Sequence, residues 1–317
     1  MKKKLVSQFI IIFCIALVFV STDLFIYLAF TNRCINDYSS QMRAKSIEVD
    51  EYLPFAENTK IVKKTYNEKL SGDLPKIDGA AALFPLMSSF VYSLYPENSV
   101  EYVNNDFTDK SALQYHNTRG AFKGLADKTI DIAICASPNN EQIEYATSKG
   151  VEFEQTPIGK EAFVFFVNKN NKVDNLSMEQ LKNIYKGNIV NWNEVGGPSR
   201  SINVLKRNEG SGSQTALEKL IGDDIKFSVF NPFGAALGFS FRYYVDGLTE
   251  HSNIKLLSLN GVYPSKENVQ NNTYPIVSNF YAFTRKGETN PNVQKVLDFI
   301  LSSTGQEIVD ETGYVGV

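Results

Sequence analysis

The chain has 317 residues, 43% of them hydrophobic and 21% charged, with a net charge of −3. There is enough apolar material for a substantial core, in two packed lobes or one large α/β domain. The mild acidity excludes the basic footprint of a nucleic-acid-binding protein. Only two histidines are present, and neither stands near a cysteine in ligand spacing, so neither a zinc centre nor any cofactor is expected.

Residues 1–30 read as a signal or membrane anchor. Met1-Lys2-Lys3-Lys4 is a basic start, and two apolar runs follow, Phe9 to Val20 and Leu24 to Phe30. Leu5 to Phe30 is long enough to span a bilayer, although Asp23 interrupts it. A retained anchor is expected over a cleaved signal, with the body on the outer side of the membrane. Residues 31–74 are polar and weakly periodic, which predicts a stalk with one helix at most, ending at the turn Ser71-Gly72-Asp73-Leu74-Pro75. Of the three cysteines, Cys14 lies in the apolar stretch. Cys34 and Cys135 either pair or remain free, and two free thiols are the expectation.

The folded body, 75–317, alternates strands and helices. A short strand at Ile77 enters the small-residue turn Asp78-Gly79-Ala80-Ala81-Ala82, and Leu83 to Tyr95 is helical, stopped by Pro96. Val100–Val103 is a strand, Ser111–Lys128 a turn and helix, Ile130–Cys135 a strand, Glu141–Lys149 a helix, and Glu152–Gln155 a strand. Ala162–Asn168 is uninterruptedly apolar and reads as a strand buried on both faces. Ser177 opens a helix through a capping box, and Gly187 ends it. Asn203–Arg207 is a strand and Gln214–Ile221 a helix. Ile276–Thr284 is a strand, Val293–Ser302 a helix, and Gly305–Gly316 a final turn. The alternation predicts an α/β fold with a mostly parallel sheet.

The segment from Val204 to Leu220 reads as strand, glycine-rich turn and helix N-terminus. Unpaired N–H groups and the helix dipole stabilise an anion at such a place. Ser211 and Ser213 offer hydroxyls, Gly212 permits close approach, and Arg207 offers a planar fork for two oxygens of a tetrahedral anion. The plainer alternative makes Ser213 an N-cap and Arg207 a surface residue. No lysine follows Gly212, so this is not a nucleotide P-loop.

Several stretches, taken in order, resemble the phosphate-binding proteins of bacterial ABC transporters, in the periplasmic-binding-protein-like superfamily, type II. They are residues 77–85, 156–168, 184–192, 207–213, 305–309 and 313–315. The resemblance implies an α/β fold of two lobes joined by two hinge crossings. Lobe 1 would hold about 75–161 and 285–317, lobe 2 about 169–275, with crossings at about 162–168 and 276–284. It implies an extracytoplasmic solute-binding protein, not an enzyme, that captures phosphate or a related oxyanion for the permease of an ABC transporter. A membrane-anchored sensor of the same fold, binding another ligand or none, is the alternative. A hydrolase using Ser211 or Ser213 finds no base in a recognisable order. By the same resemblance Arg207, Ser211, Gly212 and Ser213 form the anion-holding turn of one lobe. Facing them would be Ala80 and Ala81 in a first turn, Thr118 and Arg119 in a second, and Ser137 in a third. Two departures stand out. The first turn carries alanines where the family usually has a hydroxyl, and Pro138 stands about where phosphate-specific members have an acid that accepts the ligand's proton. Tyr243 and Tyr244 are candidates for the cleft wall or the core, Trp192 for a core anchor, and Lys160 and Glu161 for a hinge ion pair. His116 lies near the second turn but is not expected to touch ligand.

Overall fold

The fold was analysed in a computed structural model, which describes residues 13, 15–24, 42, 47–222, 224–227, 231, 233–246 and 253–317. Residues 13 and 15–24 are helical with exposed side chains. Among the described residues no helix is long and apolar enough to cross a membrane. Most of the expected anchor, together with Cys14 and Cys34, lies outside the described residues. Cys135 is a buried free thiol.

In chain order the first half of the body comprises β1 (Ile77–Gly79), α1 (Phe84–Leu94), the hairpin β2 (Tyr102–Val103) and β3 (Asp106–Phe107), α2 (Asn117–Ala126), β4 (Ile132–Cys135) and α3 (Asn140–Ser148). A long strand β5 (Phe153–Asn168) leads to β6 (Asn175–Leu176), α4 (Met178–Tyr185), β7 (Ile202–Val204), α5 (Gly212–Ile221), β8 (Ala235–Phe241) and α6 (Arg242–Asp246). Then follow β9 (Ile254–Leu256), β10 (Ser258–Leu259), α7 (Lys266–Gln270), β11 (Val277–Arg285), α8 (Pro291–Leu301) and α9 (Ser303–Thr312). The main sheet runs in the order β1-β4-β11-β5-β8-β7, with β9 also on β5. Only its ends are parallel, β1 with β4 and β7 with β8. The strands between them, β11 and β5, pair antiparallel with their neighbours.

This sheet serves two cores, and the body is a two-lobed mixed α/β fold. One core gathers Ile77, Phe84, Phe90, Ile132, Ile158, Val296 and Ile300. The other gathers Phe163, Phe165, Leu181, Tyr185, Trp192, Leu217 and Phe239. β5 passes from one to the other: its first part pairs with β11 and its last part with β8 and β9. Trp192 is fully buried and its Nε1 donates to the Ala235 carbonyl at 2.9 Å, so it is a core anchor. The box at Ser177 forms as its residues predict, with Gln180 N donating to Ser177 Oγ at 3.0 Å and Ser177 N to Gln180 Oε1 at 2.8 Å.

Four expectations change. Residues 47–74 are not a free stalk: Ile47, Tyr52, Ile61 and Leu70 are buried in the first core, and Leu70 N donates to Leu94 O at 2.8 Å. Lys64 pairs with Glu311 at 2.5 Å. The only helical turn there among the described residues is a short 3-10 segment, Val49–Tyr52. Glu152–Gln155 and Ala162–Asn168 are not separate strands but parts of β5. The expected final turn is largely α9, capped by Ser302 and ended by Gly313 in a left-handed conformation. The main sheet is not mostly parallel, since only its two end pairs run that way. Tyr243 and Tyr244 sit on α6.

Candidate functional site: an anion cleft between the lobes

Three turns of one lobe face one turn of the other across a cleft of about 450 Å³. The single turn is the loop from β7 into α5. Gly210 holds φ +73, which a side chain resists, and Ser211 begins the helix. Ser211 is the N-cap: its Oγ accepts from Gln214 N at 3.3 Å. Ser213, which the plainer reading made the cap, lies two residues further in, within the first turn of the helix. It is 9% exposed and lines the cleft, and its hydroxyl has no partner within the described residues. Gln214 in turn holds the loop, its Oε1 accepting from Arg207 N at 2.8 Å and its Nε2 donating to Glu218 Oε1 at 2.9 Å. The backbone under Arg207 is thereby fixed to the helix that carries Ser213.

Arg207 is half-buried and lines the cleft. Its guanidinium carbon lies 5.7 Å from the centre of the Tyr244 ring. Burial lowers the Arg207 pKa, and Tyr244 partly restores it; burial raises that of Tyr244. Guanidinium remains charged through any such shift, because it starts so high.

On the facing lobe, β1 delivers the first turn. Gly79 is required there, since a Cβ would stand 2.2 Å from the Ile134 carbonyl oxygen. Ala80, Ala81 and Ala82 line the cleft. Ala80 N is not available, because it donates to Ile134 O at 2.9 Å. Ala81 and Ala82 open the 3-10 turn that leads into α1, where N–H groups lack intrahelical acceptors. The second turn is the N-terminus of α2, where Asn117, Thr118 and Arg119 line the cleft. Arg119 is largely solvated, its side chain 68% exposed and 3.8 Å from Glu141. At the third turn Ala136, not Ser137, reaches the cleft. Ser137 is half-buried outside its lining, and Pro138 is buried with its carbonyl accepting from Lys219 Nζ at 3.1 Å.

Asp78 and His116 lock the first two turns together. Asp78 is fully buried; its Oδ1 accepts from Gly79 N at 2.7 Å and His116 N at 3.0 Å. Its Oδ2 lies 2.7 Å from His116 Nδ1. That bond raises the His116 pKa, and burial opposes the rise. His116 is therefore a positioning group for the N-terminus of α2, a role its sequence context did not reveal.

The lobes touch across this cleft. Gln142 Nε2 donates to Gly210 O at 3.1 Å, beside the Lys219–Pro138 bond. A Cβ placed on Gly212 would lie 3.4 Å from Thr118 Oγ1 and 3.7 Å from Ala136 Cβ. Gly212 thus faces the opposing turns directly. Two α-helix N-termini, α5 and α2, and the start of the 3-10 turn converge on one space with Arg207 beside it. Their partial positive charges favour an anion.

Below the turns, Glu161 of β5 also lines the cleft, 3% exposed. Its partner is Arg242, Nε to Oε1 at 3.2 Å, rather than Lys160. Lys160 Nζ donates instead to Gln270 O and Asn272 Oδ1, each at 3.1 Å. Ala162 N donates to Glu161 Oε1 at 2.9 Å and Tyr243 N to Oε2 at 3.1 Å. Burial pushes the Glu161 carboxyl up to about 7; Arg242 and the two N–H donors hold it from rising further. Tyr115, Phe241, Ser278, Asn279 and Tyr314 complete much of the wall and went unread in the sequence, because they come from segments far apart in the chain.

The two serines have separable roles. Ser211→Ala is expected to lower stability by about 1 kcal/mol, as loss of an N-cap does. Ser213→Ala is expected to leave stability nearly unchanged and to weaken anion binding by about 1.5–3 kcal/mol, as loss of a hydrogen bond to a charged group does. Thermal melts and calorimetric titration of both variants separate these outcomes.

Residues 75–304 match the model of the PBP superfamily domain. The chain is 26% identical over 279 residues to the phosphate-binding protein PstS of Borreliella burgdorferi, covering 80% of this chain and 92% of that protein. It is 25% identical over 265 residues to PstS of Bacillus subtilis, covering 79% and 82%. Among solved structures, a putative phosphate ABC transporter substrate-binding protein with bound phosphate from Clostridium perfringens superposes with a TM-score of 0.57 at 22% identity. That match covers 79% of this chain and all of the other. An ABC-type phosphate transport receptor from Vibrio cholerae gives a TM-score of 0.54 at 20% identity, covering 77% and all of it. With the matched model spanning most of the chain, and with the same two-lobed fold around the cleft, the chain belongs to the PBP superfamily.

Proposed function

We propose that this chain is an extracytoplasmic solute-binding protein that captures phosphate or a related oxyanion in the interlobe cleft and delivers it to the permease of an ABC transporter. The observation that carries this reading is the convergence of the α2 and α5 N-termini on a cleft lined by Arg207, Ser213 and Thr118. A buried anion needs fixed donors that cost little to orient, and helix termini supply them. The naming of the PstS relatives as phosphate-binding proteins supports the choice of ligand. Ligand groups are Arg207, Ser213, Thr118 and the N–H groups of Ala81 and Gly212. Ser211 and Arg119 act from the edge, one as a cap and one as a solvated charge. Ala80 shapes the turn without a free donor, and Ser137 is dropped from the set in favour of Ala136.

The basic start and apolar run at residues 1–30 support attachment to the membrane on its outer face, by a retained anchor or a signal removed on export. Residues 47–74 then belong to the body and hold it close to that attachment.

Retention of radiolabelled phosphate by the full chain in equilibrium dialysis tests the reading. Saturable binding that excess phosphate displaces is expected. Absence of retention at millimolar phosphate would remove phosphate as the ligand, and absence with sulfate and arsenate as well would sink the reading.

A further inference from the structure

Resting on the binding function just proposed, the geometry points to a narrower ligand class: we infer that the cleft prefers a monosubstituted anion, R–PO₃²⁻, in which one corner of the tetrahedron carries an apolar group, over inorganic phosphate.

Size is the first ground. The lobes are already in contact through Gln142–Gly210 and Lys219–Pro138, yet the cleft retains about 450 Å³. An ion of five heavy atoms fills on the order of two or three water volumes, each about 30 Å³. The space falls instead in the range of sites for organic ligands, about 300–1,000 Å³.

The second ground is chemical asymmetry. Donors come from Arg207, Ser213, Thr118 and the helix starts. Apart from the N–H groups that open the 3-10 turn, the first and third turns present only methyl side chains to the cleft: Ala81, Ala82 and Ala136. Behind the first turn stands an aromatic wall. Tyr314 donates its hydroxyl to Ala82 O at 2.5 Å and packs on Phe280, ring centres 5.0 Å apart. Both rings line the cleft. A fourth phosphate oxygen set against the methyls of Ala82 and Ala136 and these rings would be desolvated without a side-chain donor, and no acceptor stands at Ala136 for a P–OH proton. A carbon substituent meets the same wall at no such cost and removes apolar surface from water. Three oxygens then face three sets of donors.

Competition calorimetry of the full chain with phenylphosphonate and inorganic phosphate tests this. Phenylphosphonate is expected to bind at least tenfold more tightly. Equal or tighter binding of phosphate overturns the inference and leaves the oxyanion-binding function standing; binding of neither overturns both. In Ala136→Asp, a new acceptor beside Gly212 is expected to shift the ratio at least tenfold toward phosphate. Ala81→Ser, which adds only a hydroxyl to the wall, is expected to shift it the same way by a smaller factor. An unchanged ratio in folded protein of both variants counts against the apolar corner.

Discussion

Arg207→Ala is expected to weaken phosphate binding by about 2–5 kcal/mol, the usual cost of truncating one partner of a buried, hydrogen-bonded charge pair. Each 1.4 kcal/mol is a factor of ten, so the dissociation constant should rise by between about thirtyfold and several thousandfold. The size of the effect follows from where the guanidinium sits. Its backbone is held by Gln214 Oε1, its plane lies near Tyr244, and burial has already removed part of its hydration. The bound anion thus meets a cation that pays little further desolvation. Arg207→Lys should recover only part of the loss, because an ammonium keeps the charge and loses the fork. Calorimetric titration measures both, and a thermal melt checks that the fold is intact. Unchanged affinity in a folded Arg207→Ala protein would remove the guanidinium from the site.

Arg242→Met is expected to destabilise the fold by about 3–5 kcal/mol at pH 8 and far less at pH 5. Glu161 is an acid whose folded pKa, about 7, stands above its ordinary 4.5. Between those values the native chain holds a proton that the unfolded chain has released, so stability from this group falls as pH rises through that window. Removing Arg242 takes away the charge that limits the rise, and the window extends upward. The variant therefore suffers most where the carboxyl is driven to ionise. It also loses the bond from Arg242 Nη2 to Gly313 O, 2.5 Å, which ties α6 to the end of α9. Urea denaturation at the two pH values reads the difference. Equal losses at pH 5 and pH 8 would mean that Glu161 does not titrate as its burial requires.

Local signals made much of the site legible. The strand-turn-helix around Arg207 and Ser213 needed only glycine, serine and apolar spacing within one short segment, and it formed. The capping box at Ser177 and the buried Trp192 were readable for the same reason. Where the sequence misled, distant packing decided. Pro157 and Gly159 look like breakers between two strands. In the sheet, the register shifts between Phe280 and Tyr281, so that Gly159 and Pro157 face them and Ile158 is the extra residue. A bulge tolerates proline, and β5 continues through it. Residues 47–74 lack periodicity because Tyr52, Ile61 and Leu70 each plug the core singly, with polar chain between them. β8 was hidden by its central glycine; Gly238 is required because the Phe166 ring covers it, with a Cβ falling 2.4 Å from that ring. Glu161 found Arg242 rather than its sequence neighbour because adjacent residues on a strand point to opposite faces. Past the end of β4, Ala136 rather than Ser137 reaches the cleft.

Arsenate is a tetrahedral oxyanion with an anomalous scatterer at its centre, so a crystal of the chain grown with it locates the bound anion directly. One anomalous peak between Ser213 and Thr118, within reach of Arg207, is expected. A peak on any other surface, or an empty cleft at saturating arsenate, would contradict the placement of the anion between the lobes.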